Sequence, residues 1–115
     1  MGETARGDVI KGTLDMLVLQ TLQFGAMHGW GITELLEQRS ERVLQIAQGS
    51  LYPALYRLEA QGLVTSAWGV TENNRRARYY SLTRAGRERL RQERSEWQRV
   101  SRAVSLVMQL RDADA

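Results

Sequence analysis

Two groups of side chains in this 115-residue sequence carry hydrogen-bond donors and positive charge at spacings suited to a polyanion. The first is Ser50, Tyr52, Pro53, Tyr56 and Arg57, inside Gly49-Ser50-Leu51-Tyr52-Pro53-Ala54-Leu55-Tyr56-Arg57-Leu58-Glu59. At about 100° per residue, Leu51, Ala54, Leu55 and Leu58 share one helical face, and Ser50, Pro53, Tyr56 and Arg57 share the other. Such a helix packs its leucines on a core and offers a short, polar, aromatic and singly positive face to a groove of DNA. The second group is Asn74, Arg75, Arg76 and Arg78, in a polar stretch between two strand-like segments. Guanidinium and amide groups in a turn reach phosphates or the minor groove. Catalytic chemistry finds no such support. The sequence holds no phosphate-binding glycine loop, no serine nucleophile elbow and no metal-ligand spacing. It has no cysteine and a single histidine, His28. Neither enzyme activity, a metal nor a cofactor is expected.

The elements that must position these groups follow from the apolar pattern. Ser50 is placed as an N-cap, and Pro53, the sequence's one proline, in the first turn of the helix behind it. Residues 63–69 and 78–82 read as strands, and 70–77 as a polar turn between them. Helix, strand, basic hairpin, strand is the plan of a winged helix. Its helix enters the major groove while the hairpin lies along the backbone or in the minor groove.

Upstream, residues 11–24 read as a helix with a stripe of Leu14, Leu17, Val18, Thr21 and Leu22, leaving Met16 and Leu19 off it. Gly25 ends that helix. Residues 29–40 read as a second helix with Ile32, Leu35 and Leu36 facing inward. His28 stands at its opening as a cap or a docking residue, and Trp30 as a core or subunit contact. Residues 43–47 suggest a very short strand pairing with the hairpin. Thr83 is placed as the N-cap of a long helix over 83–111. In it Leu90, Trp97 and Val104 recur every seven residues with Val100 and Val107 between them, the pattern of a short coiled-coil seam. A helix of about 28 residues spans about 40 Å, too long to bury in so small a domain, so a second copy is expected to cover it. The fold class expected is α+β, mainly α. It divides into a tail over 1–8, a winged-helix DNA-binding domain over 9–82, a C-terminal dimerisation helix over 83–111 and a tail over 112–115.

Charge distribution agrees with a nucleic-acid partner. Residues 75–102 hold ten arginines and three glutamates, a balance of +7, while the remainder carries −4. A basic half on a mildly acidic frame suits a polyanion. Beyond Arg84 a solvated helix face, with neighbours such as Arg89 and Glu93, would give the same count. No apolar run approaches the ~20 residues of a membrane span, and the first residues lack the apolar region of a signal peptide. A cytoplasmic protein is expected.

The sequence also resembles the PadR-type transcriptional regulators, bacterial winged-helix repressors, from about Lys11 to Val100. The residues that carry the likeness are Gly12-Thr13-Leu14-Asp15-Met16-Leu17, Met27-His28-Gly29-Trp30-Gly31-Ile32, Gln48 through Glu59, the hairpin residues Trp68-Gly69 with Glu72 through Tyr80, and Leu82-Thr83-Arg84-Ala85-Gly86-Arg87. Gln-Gly-Ser-Leu-Tyr-Pro with Glu-Asn-Asn-Arg-Arg looks most like a subgroup common in acidobacteria. The resemblance implies a homodimer joined through the C-terminal helix, with the first helix contributing, on an inverted repeat of double-stranded DNA. It assigns Ser50, Tyr52, Pro53, Tyr56 and Arg57 to the recognition helix, and Asn74, Arg75, Arg76 and Arg78 to the wing. Tyr52 and Tyr80 fit a packing role equally well. Trp97 matches the position where some short relatives hold flat aromatic compounds at the dimer interface, although a plain dimer-core role suits it too. A winged-helix interaction module that had lost DNA binding is the alternative. It would be expected to lose Arg57, Arg75, Arg76 or Arg78, and all are present.

Overall fold

A computed structural model of the protein describes residues 13–112. The tail expected over 1–8 lies outside the described residues, as do 113–115 of the tail expected over 112–115. Helix α1 (13–22), helix α2 (Gly29–Arg39) and helix α3 (Gln48–Ala60) enclose a core of leucine, isoleucine and valine side chains. From α1 come Leu14, Val18, Leu19 and Leu22, from α2 Ile32 and Leu36, and from α3 Leu51, Ala54, Leu55 and Leu58. Each fully buried leucine contributes on the order of 1.5–3 kcal/mol. The stripe of α1 is rotated from its expected position. Leu19 is fully buried, whereas Leu17 lies at the edge of the core.

Strand β1 (Met27–His28), strand β2 (Val64–Val70) and strand β3 (Arg76–Leu82) form an antiparallel sheet in the order β1-β3-β2. The expected strand at 43–47 is not there. Both edges of β3 are taken, one by β2 and the other by Met27 and His28, which pair with Tyr80 and Tyr79. Residues 43–47 instead run as loop, and Ile46 is buried in the core. The alternation that suggested a strand is the imprint of that burial, with no ladder beside it.

Helix α3 starts earlier than the Ser50 cap implies. Its N-cap is Ala47, which makes no side-chain cap, and Ser50 lies within the first turn as an exposed helical residue. Pro53 is therefore the sixth helical residue and has no N–H to give the Gly49 carbonyl four residues back. Gly49 is exposed, so water can serve that carbonyl. Gly62 ends the helix in the left-handed region, φ 76°, a conformation that favours glycine.

The hairpin between β2 and β3 is tight. The Asn74 amide donates to the Thr71 carbonyl at 2.9 Å, and Asn74 itself has φ 59°. A turn followed by a left-handed residue suits a short hairpin, and asparagine tolerates that conformation better than most residues. Helix α4 (Arg84–Met108) follows directly. Thr83 caps it as expected, accepting from the Gly86 amide at 3.0 Å and donating to the Gly62 carbonyl at 2.7 Å. At 25 residues, α4 is about 37 Å long, and its last buried residue is Leu90.

Candidate nucleic-acid interface

Helix α3 reaches its place through α2. The side-chain amide of Gln48, its first residue, donates to the Thr33 hydroxyl at 3.2 Å. Thr33 is buried and donates in turn to the Trp30 carbonyl at 2.9 Å. His28 caps α2, its Nδ1 accepting from the Gly31 amide at 3.0 Å, and its ring meets Tyr79 edge-on at 5.2 Å. His28 thus performs the capping role and joins α2 to the sheet.

With its leucines inside, α3 presents Ser50, Pro53, Tyr56 and Arg57 to solvent. Tyr52 is half-buried beside Tyr56, with ring centroids 6.2 Å apart. Tyr80 belongs to the core at 1% exposure. Burial pushes its hydroxyl above the ordinary tyrosine value, and Tyr56 adds to the rise, so it carries no charge at neutral pH. Arg57 does not point freely outward. Its guanidinium pairs with Asp15 of α1 at 2.6 Å, leaving its side chain half exposed.

The hairpin has one face on which Val64, Ser66, Trp68 and Val70 lie opposite Leu82, Tyr80, Arg78 and Arg76. That face changes character along its length. Val64 and Tyr80 are buried at the base, and Trp68, Arg76 and Arg78 are exposed toward the tip. Arg75 follows Asn74 at the turn and is exposed. Arg78 is a strand residue as expected, and Arg76 is one too, because β3 begins two residues before the expected Arg78. Arg78 Nε donates to the Ser66 hydroxyl at 2.8 Å, and that hydroxyl donates to Glu59 of α3 at 2.7 Å. Ser66 thereby links Arg78 of β3 to Glu59 of α3.

Between α3 and the wing lies a cleft of about 640 Å³. Trp30, Tyr52, Tyr56 and Trp68 stand in its walls together with Arg75, Arg76 and Arg78, and among the described residues no carboxylate lines it. Aromatic rings, hydroxyls and three cations in one cleft suit a strand of nucleic acid. Trp30, expected in a core or a subunit contact, is exposed and lines this cleft.

The family model of the transcriptional regulator PadR-like family matches residues 18–92. The protein belongs to that family. It is 38% identical over 78 residues to the transcriptional regulator Rv3488 of Mycobacterium tuberculosis, covering 68% of this chain and 69% of that one. Among solved structures it resembles a transcriptional regulator from Clostridium thermocellum, with TM-score 0.77, 30% identity and coverage of 85% and 95% of the two chains. It also resembles a PadR-family transcriptional regulator from Eggerthella lenta, with TM-score 0.78, 28% identity and coverage of 95% and 93%. The α+β winged helix, with its small antiparallel sheet and long last helix, is the fold of these relatives. The protein is a transcriptional regulator of the PadR family, which implies DNA binding.

Sequence reasoning missed the side chains that hold the interface: Asp15, Thr33, Gln48, Glu59, Ser66 and Trp68. Asp15, Gln48, Glu59 and Trp68 lay inside the motifs that carry the family likeness, but nothing in their types or spacing assigned them a role. The residues expected in a dimer seam divide. Leu90 is 4% exposed and packs in the core of its own chain, because the first turns of α4 lie on the domain. Trp97, Val100, Val104 and Val107 lie farther along α4 and are exposed, Trp97 by 48% and Val104 by 53%.

Proposed function

We propose that the protein is a homodimeric repressor that binds an inverted-repeat operator, each protomer placing α3 in the major groove and its wing on the flanking backbone. The observation that carries this reading is the cleft between α3 and the wing, lined by three arginines and, among the described residues, by no acid. Ser50, Tyr52, Pro53, Tyr56 and Arg57 then face bases and nearby phosphates, and Asn74, Arg75, Arg76 and Arg78 form the wing contact. Titration of the full chain on duplex DNA at several salt concentrations tests it. Affinity should fall log-linearly with salt, about 0.9 in slope per phosphate neutralised. An affinity insensitive to salt would contradict a backbone contact by these arginines.

Dimerisation is supported by α4, whose Trp97, Val100, Val104 and Val107 are exposed along a helix extending past the domain. A second apolar surface lies between α1 and α2, a groove of about 650 Å³ lined by Leu17, Phe24, Leu35, Leu36 and Leu44 among others. A second copy covers such faces most simply. Two copies of α4 in contact bring Trp97 close to its counterpart, where a flat aromatic effector would stack and relieve repression. Quenching of Trp97 fluorescence across a panel of aromatic compounds is the expected sign, and an unaffected signal would leave Trp97 as dimer core.

A further inference from the structure

Trp68 is 59% exposed on the wing. An indole left that open forgoes most of the apolar burial it could contribute. Its surroundings give it another use. Trp68 sits directly opposite Arg78 in the β2–β3 register, and Arg76 lies two residues earlier in β3 on the same face. The guanidinium of Arg76 lies 4.5 Å from the ring centroid, and that of Arg78 lies 5.6 Å away. Both distances fall within the ~6 Å reach of a cation–π contact. Arg78 is further restrained by its bond to Ser66, which bonds Glu59. Two flexible cations on a hairpin tip are thus gathered around one flat ring.

We propose that Trp68 is a positioning residue for DNA binding. Its indole face holds Arg76 and Arg78 in the orientation in which they meet the phosphate backbone. The ordering of two rotamer-rich side chains is then completed in the folded protein and not charged against the complex. This inference rests on the DNA-binding reading above and deepens it by naming what prepares the wing.

The test is a double-mutant cycle on duplex titrations of the full chain. Trp68→Leu keeps apolar bulk and removes the π face, whereas Trp68→Phe keeps a smaller one. Trp68→Leu should weaken binding about three- to ten-fold on operator and random duplex alike, the scale of ordering one or two side chains. The salt slope should hold, because both arginines remain. Trp68→Phe should recover most of the loss, and the urea midpoint should not move with either variant. In the Arg76→Ala/Arg78→Ala background, Trp68→Leu should have no further effect. An equal loss in that background would overturn the inference, since Trp68 would then touch DNA itself. Wild-type affinity in Trp68→Leu would overturn it as well. A wild type that binds no duplex at all would overturn the DNA-binding reading, and this inference with it.

Discussion

Arginines on the two halves of the interface have different freedom, and freedom sets what each contributes. Arg75 is exposed at the wing turn, a place from which a guanidinium can reach phosphates in any sequence. Arg57 sits on the exposed flank of α3 but is held by Asp15 at 2.6 Å. That pair is half open to solvent, and exposed ion pairs contribute only about 0–1 kcal/mol. A phosphate or a guanine edge can therefore draw Arg57 away at small cost. Arg75→Ala should weaken operator and random DNA alike and lower the salt slope by about 1. Arg57→Ala, if it reads a base, should cost about 1–3 kcal/mol on the operator and much less on random DNA. Titrations of both variants on both duplexes check this. Loss of discrimination in Arg75→Ala alone would reverse the two roles. The residue types at the interface were legible in the sequence, because polar and apolar positions separate cleanly around α3. The ties Gln48–Thr33, Asp15–Arg57 and Arg78–Ser66–Glu59 were not. Each joins different elements, and the side chains of such a pair leave no periodic mark.

At the scale of elements, the long periodic segments declared themselves and the short ones did not. Helices α2, α3 and α4 and the two hairpin strands follow from spacing, and Thr83 from its place before a helical run. Strand β1 has two residues, too few to show alternation, and it exists because β3 has an edge to pair. The start of α3 was misplaced because Ser50 and Pro53 look like an N-cap and a first turn, whereas α3 begins at Gln48, behind an uncapped Ala47. The joint between α3 and α4 depends on close approach. A Cβ on Gly86 would overlap the Leu63 carbonyl oxygen. In an exposed helix glycine to alanine gains up to about 1 kcal/mol. Here overpacking against backbone, about 1–3 kcal/mol, should win. Gly86→Ala should lower the urea midpoint with the slope unchanged. A raised midpoint would show that the joint yields.

For the whole molecule, the proposed two-fold arrangement would tie the parts together. In that proposal the wing and α3 make one half-site contact, and Trp97, Val100, Val104 and Val107, exposed on α4, offer the surface on which two such contacts are joined. Leu90, spent on its own core, shifts the expected seam toward the C-terminal half of the helix. Replacing Val100, Val104 and Val107 by polar residues should therefore produce folded monomers whose DNA affinity drops to that of a single half-site. The most direct measurement is a footprint, with sedimentation of the complex, on an operator selected from random duplexes. Two protomers should protect two inverted half-sites centred about 10 bp apart, or a multiple of that. Inserting about 5 bp should abolish joint binding by turning one half-site to the opposite face of the duplex. Binding of single protomers that ignores the spacing, or protection of direct repeats, would contradict the two-fold docking of α3.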